Sequence, residues 1–373
     1  MHSFPSIKSI GTAVPPHKIM QDRHYSILES ANGLSREEKL QLRQVYRNSG
    51  IKSRHSVLAE FGEEDRNEHV LFHPAGNNPP VSVSARMDLF EQYATGLCVK
   101  AAEKCFSELP GFSLDRITHL VSFSCTGMFA PGIDIQLIEK LGLNRNIERT
   151  CINFMGCYAG INALKTAYHI CRSEPGAVVL ISGVELCTLH YQKNNKQDQL
   201  IANAIFADGA AACIISSDPE IKPAEKTEFA LRSFYSEYEP SGKDEMVWRI
   251  GDFGFDLRLS TLVPDLVKNS ISVLLNKLFS KTGIEQNEID FYAIHPGGIK
   301  ILEACESSIH ITKEQNRFSY EVLNEFGNMS SVTVLFVLEK YFQSLHAGDQ
   351  GKKILACAFG PGLTMESMIL EVQ

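Results

Sequence analysis

CINFMGCYAGINALKTAYHI (residues 151–170) and YEVLNEFGNMSSVTVLFVLEKY (residues 320–341) are the stretches whose reading decides the fold. In each, a short apolar run meets a Gly-containing turn and is followed by apolar residues at helical spacing. The flanking segments repeat in the same order. ITHLVSFSCTG (117–127) precedes the first stretch and AVVLISG (177–183) follows it, while IDFYAIHPGG (289–298) precedes the second and KKILACAFGPG (352–362) follows it. Laid over one another with an offset of 171 residues, Cys157 falls on Asn328 and Ser124 on His295. Such a repeat predicts a duplicated frame. Short apolar strands alternating with helices predict an α/β protein of helix–sheet–helix layers packed back to back. Two halves related by a pseudo-twofold axis would bring Cys157, His295 and Asn328 to equivalent ends of equivalent strands, where they converge.

With 373 residues, 44% of them hydrophobic, the chain can fill two ordinary domains or one large duplicated one. A polar run containing Pro219 and Pro223 places the seam near Pro219–Glu228, giving halves of residues 1–220 and 221–373. A net charge of −8, with no Lys/Arg run interleaved with aromatics, argues against nucleic acid as a partner. Ten cysteines without paired CxxC spacing, in a chain whose first residues lack an apolar signal core, predict reduced thiols in the cytoplasm. No stretch approaches the roughly 18 apolar residues of a membrane span. Clustered Cys/His spacing is missing too, so no metal is expected. The pattern further predicts an opening strand in SIKSIGTAVPP, helices near 34–48, 86–108 and 263–279, a surface loop over 60–80 and a buried strand within 205–217.

Cys157 follows Gly156 between a strand-like run and a helix, so its sulfur should lie near a helix N-terminus, which favours thiolate. The plainer alternative is one more buried cysteine. His295, in AIHPGG, ends a strand and enters a Gly-rich turn that presents the imidazole to a cleft; otherwise it is a histidine bonded into its loop. Asn328, in GNMSS, reads as an amide donor or as a helix N-cap. Taken jointly the three supply a nucleophile, an imidazole and an amide, a set suited to acyl transfer through a thioester.

Four segments occur in order around these residues: Phe154–Gly160 (FMGCYAG), His295–Gly298 (HPGG), Gly327–Ser331 (GNMSS) and Phe359–Gly362 (FGPG). In them, and over nearly its whole length, the chain resembles the type III polyketide synthases, the chalcone and stilbene synthase-like enzymes of the thiolase superfamily. The resemblance implies a thiolase-like duplicated α-β-α-β-α fold and a homodimer. It implies Cys157 as acyl acceptor, with His295 and Asn328 binding the thioester carbonyl oxygen. Phe206 matches a gating phenylalanine between substrate tunnel and acyl pocket. Gly360, Pro361 and Gly362 shape one pocket wall, and Arg43, Arg47, Lys52 and Arg54 resemble a cationic entrance that contacts the nucleotide phosphates of CoA. The implied reaction loads an acyl-CoA starter on Cys157 and extends it by decarboxylative condensation with malonyl-CoA. Closure then gives a pyrone or phenolic product. CoA thioesters are substrates, and no metal or other cofactor is implied.

Several positions depart from the plant pattern. Leu257 stands at a second gating phenylalanine, Cys125 and His190 near threonine positions, and Trp248 near a small pocket-lining residue. Pointing inward, Trp248 changes pocket volume; pointing outward, it is core packing. Ala130, beside Met128 and Phe129, stands where the plant enzymes insert a methionine into the partner's pocket. These departures resemble a bacterial member and leave the starter open among fatty acyl, aromatic acyl and malonyl. One rival is an initiating ketoacyl-carrier-protein synthase, which makes a single condensation. Another is a papain-like Cys–His–Asn hydrolase, but Met155-Gly156-Cys157-Tyr158 at mid-chain lacks that nucleophile's context. A catalytically idle scaffold is at odds with intact Cys157, His295 and Asn328.

Overall fold

A computed structural model describes residues 4–31, 33–61, 71, 80–192, 197–223 and 227–373. The first part of the chain forms β1 (Ser6–Ala13), β2 (His17–Met20), α1 (Gln21–Ala31), α2 (Arg36–Arg47), β3 (Ser53–Ser56), α3 (Val83–Ser107), β4 (His119–Ser124), α4 (Ile133–Leu141), β5 (Glu148–Asn153), α5 (Ala159–Ser173), β6 (Val178–Leu186), α6 (Gln197–Ile205) and β7 (Asp208–Ser216). The second part forms β8 (Phe229–Tyr238), β9 (Met246–Ile250), β10 (Phe255–Leu259), α7 (Val263–Thr282), β11 (Phe291–Ile294), α8 (Ile299–Ile309), α9 (Arg317–Phe326), α10 (Thr333–Ser344), β12 (Lys353–Gly360) and β13 (Thr364–Val372).

Nine strands make one sheet in the order β11-β12-β13-β8-β1-β7-β6-β4-β5. Its centre is the short contact of β1 with β8, Ser6 opposite Ala230 and Ile7 opposite Phe229. Outward from there the two sides follow the same rule: first strand, last, penultimate, second. The duplication expected from the repeated segments is therefore written into the strand order. Helix α3 packs on β1, β6 and β7, and α7 on β8 and β13, as outer layers. Between the halves lie α5, which touches β4, β6, β7 and β13, and α10, which touches β1, β7, β11 and β12. This is the α-β-α-β-α layering.

The core explains why these strands read as continuous apolar runs. In β7, Ala210, Ala212 and Ile214 face the outer core while Ala211, Cys213 and Ile215 face the inner one. Strand β12 does the same with Leu355, Cys357 and Phe359 against Ile354, Ala356 and Ala358. A strand covered on both faces buries both sets of its alternating side chains. Helix α10 buries Val334, Leu335, Phe336, Val337 and Leu338 in succession, as a helix enclosed on all sides must.

One expected equivalence fails. The run overlaid on β5 is helix α9 in the second half, so that half contributes four strands and Asn328 follows a helix through Gly327. Ser319, Val322, Leu323 and Phe326 recur at helical spacing and turn one face inward, which the overlay on TCINF concealed. His295 and Ser124 do occupy matching strand ends, after β11 and at the end of β4. Of the loop read over 60–80, only Glu60, Phe61, Leu71 and Pro80 lie within the described residues, and the first three are buried rather than on the surface. Residues 224–226 of the seam also lie outside the described residues.

Candidate active site

Strand β5 delivers Cys157 through a turn in which Gly156 takes φ +84°, just ahead of α5. A Cβ on Gly156 would sit 2.2 Å from Pro361 Cδ, and one on Gly360 would sit 2.5 Å from Tyr158 Cδ1. The glycines of FMGCYAG and FGPG thus let the two segments pack against each other directly. Two non-glycine residues near the sulfur, Phe154 (φ 61°) and Ser330 (φ 50°), also hold left-handed backbone, which is uncommon outside constrained sites.

His295 follows β11, its N–H donating to Cys357 O at 2.8 Å. The ring is buried, and among the described residues neither Nδ1 nor Nε2 has a hydrogen-bond partner. Asn328 is tied at both backbone ends: its N–H donates to Ile205 O and its carbonyl accepts from Ala207 N–H, each at 2.9 Å. Its Oδ1 accepts from Ser330 N–H at 2.8 Å, while Nδ2 donates to Gly297 O at 3.2 Å in the turn after His295. The amide is thus fixed on both sides, while the N-cap of the 3-10 turn that follows falls on Met329 rather than on Asn328.

These three residues line one cavity of about 540 Å³. Cys157 Sγ lies 3.5 Å from Ser330 Oγ. Burial pushes its thiol up to about 12, with the Ser330 hydroxyl pulling the other way. Burial also drives His295 down to about 3. The expected bias toward thiolate is therefore outweighed by desolvation. The His295 imidazole is neutral, and among the described residues its two ring nitrogens meet no hydrogen-bond partner.

Residues 4–219 match the family of chalcone and stilbene synthases through its N-terminal domain, and residues 230–373 match through its C-terminal domain. The chain belongs to the chalcone and stilbene synthase family. An alpha-pyrone synthesis polyketide synthase-like protein, Pks18 of Mycobacterium tuberculosis, is 32% identical over 79% of this chain and 74% of its own length. Probable polyketide synthase 1 of Dictyostelium discoideum is 30% identical over 98% of this chain, which spans 11% of that much longer protein. Among solved structures, PKS-I from the brown alga Ectocarpus siliculosus superimposes with a TM-score of 0.92 at 30% identity, covering 100% of this chain and 99% of that one. CsyB, solved with CoA-SH, superimposes at 0.87 with 25% identity over 98% and 99% of the two chains. The protein is a type III polyketide synthase, a condensing enzyme of the acyltransferase kind with a thiolase-like fold.

The synthase's cavity is also lined by Phe206, Leu257, Cys125, His190, Trp248 and Pro361. Gly360 and Gly362 stand behind that wall, the lining being made by Phe359 and Pro361. Trp248 points inward. In the β9–β10 hairpin Trp248 pairs with Leu257 and Met246 with Leu259, and all four side chains face the cavity. His190 stacks on Phe255 at 3.9 Å and meets the Trp248 ring edge-on at 5.6 Å. Its tautomer is set by Nε2–H donating to Thr126 O at 2.6 Å and Nδ1 accepting from Phe255 N–H at 3.1 Å. Burial pushes this imidazole down to about 3, so it is a neutral wall.

The cationic entrance needs correction. Arg54 lines the cavity but is 1% exposed, and its two terminal nitrogens are committed to Asn203 O, Phe206 O, Gln21 Oε1 and His24 Nδ1, so it does not stand at a surface where a nucleotide phosphate would dock. Arg43, Arg47 and Lys52 are exposed but do not line the cavity. The face of α2 that does carries Gln41, Gln44, Val45 and Asn48, and across the mouth stands the exposed Lys300 at the start of α8. A helix face is chosen by spacing of three and four, and a tally of charges misses it.

Two further residues escaped the sequence reading. Ser330 bridges Cys157 and Cys125, whose Sγ lies 3.1 Å away. Glu185 is fully buried and accepts from Cys125 N–H, Thr126 Oγ1 and Ser331 Oγ. Its signal was present in VVLISGVEL, a single acid inside an apolar strand. Among the described residues, the one grouping of His and carboxylates close enough to share an ion is His119, Glu148 and Glu174. It lies at the other end of β4 from Cys125 and takes no part in the cavity.

Proposed function

We propose that the synthase takes its starter from an acyl-CoA and its extender from malonyl-CoA, iterating on Cys157. His295 accepts the thiol proton, and the thiolate attacks the starter thioester carbon. CoA leaves as its thiolate and the acyl group stays on Cys157. Malonyl-CoA then loses CO2, and the electron pair of the broken C–C bond becomes an enolate. The His295 ring N–H and Asn328 Nδ2 donate to its oxygen, donors of a kind worth about 3–4 kcal/mol each where charge develops. The enolate carbon attacks the acyl-Cys157 carbonyl, a C–C bond forms, and the Cys157 thiolate is released for another round. Decarboxylation supplies the nucleophile, so no paired carboxylates are needed. The observation that carries this reading is the pair of unpartnered, buried ring nitrogens of His295 in the same cavity as Cys157 and Asn328.

The wall of Trp248, His190 and Phe255, with Leu257, Met246 and Leu259 beside it, favours a narrow apolar starter such as an aliphatic acyl group over a broad ring system. The pyrone chemistry in the name of Pks18 supports a pyrone as the product class. The CoA-bound relative supports CoA as carrier, with Lys300 and the amides of α2 at the mouth. Strand β5, at the sheet edge and exposed along most of its length, supports a homodimer that covers this edge beside the Cys157 turn. Residues 1–220 and 221–373 are read as the two halves of the duplication. Ten free thiols support a cytoplasmic location. Among the described residues no helix is long and apolar enough to cross a membrane. Incubating the enzyme with malonyl-CoA and a panel of acyl-CoA starters, with mass spectrometry of the products, tests the reading. Pyrones built on aliphatic starters support it. Acylation without extension points to a single-step condensing enzyme, and free acid alone to a hydrolase.

A further inference from the structure

Helix α6 ends at Ile205, one residue before the gate Phe206. A helix C-terminus leaves its last carbonyls without intrahelical partners, and here each is met from elsewhere in the chain. Asn203 O accepts from Arg54 Nη1 at 2.8 Å and from the Tyr46 hydroxyl at 3.2 Å. Ala204 O accepts from Gln21 Nε2 at 2.8 Å. Ile205 O accepts from Asn328 N–H at 2.9 Å, and Phe206 O again from Arg54 Nη1 at 2.8 Å.

Arg54 is the hub of this cluster. Its Nη2 donates to Gln21 Oε1 and His24 Nδ1, both at 2.9 Å. Among the described residues no carboxylate lies within ion-pair distance of it, and its buried charge is met by carbonyl oxygens at the negative end of the α6 dipole and, from further off, by the Asp208 carboxylate. A buried cation held this way is intolerant of geometric change. The two residues before it do the same for α9: Lys52 N–H donates to Asn324 O at 2.8 Å and Ser53 Oγ to Glu325 O at 2.9 Å. One short segment therefore ties the ends of both helices that lead into the site, α6 to Phe206 and α9 to Asn328. Ala207 N–H closes the connection by donating to Asn328 O at 2.9 Å. Among the described residues the Cys157 turn takes no hydrogen bond from Arg54 or from the end of α6.

We propose that Arg54 is a positioning residue for the condensation step: by locking the end of α6 it fixes, through the Ile205–Ala207 bridge, the aim of the Asn328 amide and the Phe206 ring. This rests on the reading of Asn328 as a donor to the malonyl-derived enolate. Cys157 is held by its own turn ahead of α5 and meets Asn328 only through Ser330, whose N–H donates to Asn328 Oδ1 and whose Oγ lies 3.5 Å from the sulfur, so loss of Arg54 weighs more on condensation than on acylation.

The test uses Arg54→Lys in the full-length enzyme, with Tyr46→Phe as a milder variant that removes one of the two donors on Asn203 O. Cys157 acylation by starter-CoA alone is followed by intact-protein mass, and CO2 release from malonyl-CoA is followed separately. Both are normalised to the folded fraction. The expected result is acylation within about twofold of the parent and CO2 release down at least tenfold for Arg54→Lys. Should that variant not fold, Tyr46→Phe is expected to lower CO2 release severalfold with acylation unchanged. Equal losses in the two half-reactions, or no loss in either, overturn the proposal. A parent enzyme that neither acylates Cys157 nor releases CO2 would instead overturn the functional reading on which it rests.

Discussion

The indole of Trp248 donates from Nε1 to the carbonyl oxygen of Cys125 at 2.7 Å, pinning the β9–β10 hairpin to the turn after β4. This bond holds the ring at the cavity wall beside Leu257, two residues along the chain from Phe255, which stacks on His190. Trp248→Ala removes the bond and much of that wall. We expect longer or broader acyl-CoA starters to be used at the expense of the parent's preferred one. Stability should fall by about 3 kcal/mol, in the range of large-to-small truncations. Trp248→Phe, which keeps a ring but loses the donor, should cost about 1 kcal/mol and change starter preference little. Unfolding midpoints and a starter panel check both, and an unchanged panel for Trp248→Ala would show that the ring does not set the pocket.

His295→Ala tests how the nucleophile is made. Burial holds the Cys157 thiol at about 12, and removal of the imidazole takes away the group to which the proposed loading step assigns the thiol proton. Alkylation of Cys157 by iodoacetamide at neutral pH should slow at least tenfold in the variant, read as the rate of mass gain on the Cys157 peptide. Equal rates would mean that the α5 N-terminus and Ser330 ionise the thiol without His295.

Acid sensitivity follows from His190. Burial takes its imidazole to about 3 from an ordinary 6.5, so between these values the unfolded chain binds a proton that the folded protein refuses. Its contribution to stability is complete above 6.5 and is lost as pH falls toward 3. His190→Gln, whose amide can keep one donor and one acceptor, should lose about 2 kcal/mol less than the parent on going from pH 7.5 to pH 5. Asp208, pushed up to about 6 by burial, acts in the opposite sense in both proteins and cancels in the comparison. Chemical denaturation at the two pH values gives the difference directly, and parallel losses would contradict a neutral buried His190.

Much of this architecture is legible in the chain because both-face burial leaves a plain trace. DGAAACIIS and KILACAFG are enclosed strands, although the strand read from Ile205 begins only at Asp208, after the end of α6, and the repeat around them carries the topology. Cys157, His295, Asn328 and Phe206 were legible because each stands beside a Gly or Pro turn or a quoted motif, and all four line the cavity. What failed did so for identifiable reasons. The overlay took YEVLNEF for a strand, although its inward residues recur with helical period and form α9. Counting positive charges in LRQVYRNSGIKSR assigned Arg54 to a surface, whereas it caps α6 from the interior and Gln41, Gln44 and Asn48 occupy the cavity face. The direction of Trp248 depends on a carbonyl 123 residues away, which no local pattern carries.

In the proposed mechanism Cys157 carries the growing chain. The most direct measurement is the mass of the Cys157 peptide after a brief incubation with an accepted acyl-CoA starter, and again after malonyl-CoA is added, in the parent and in Cys157→Ala. The expected result is a starter acyl group on Cys157 that is discharged as extended product when malonyl-CoA arrives, with neither adduct nor product from Cys157→Ala. An unmodified Cys157 peptide in a working enzyme, or extended product from Cys157→Ala, would contradict it.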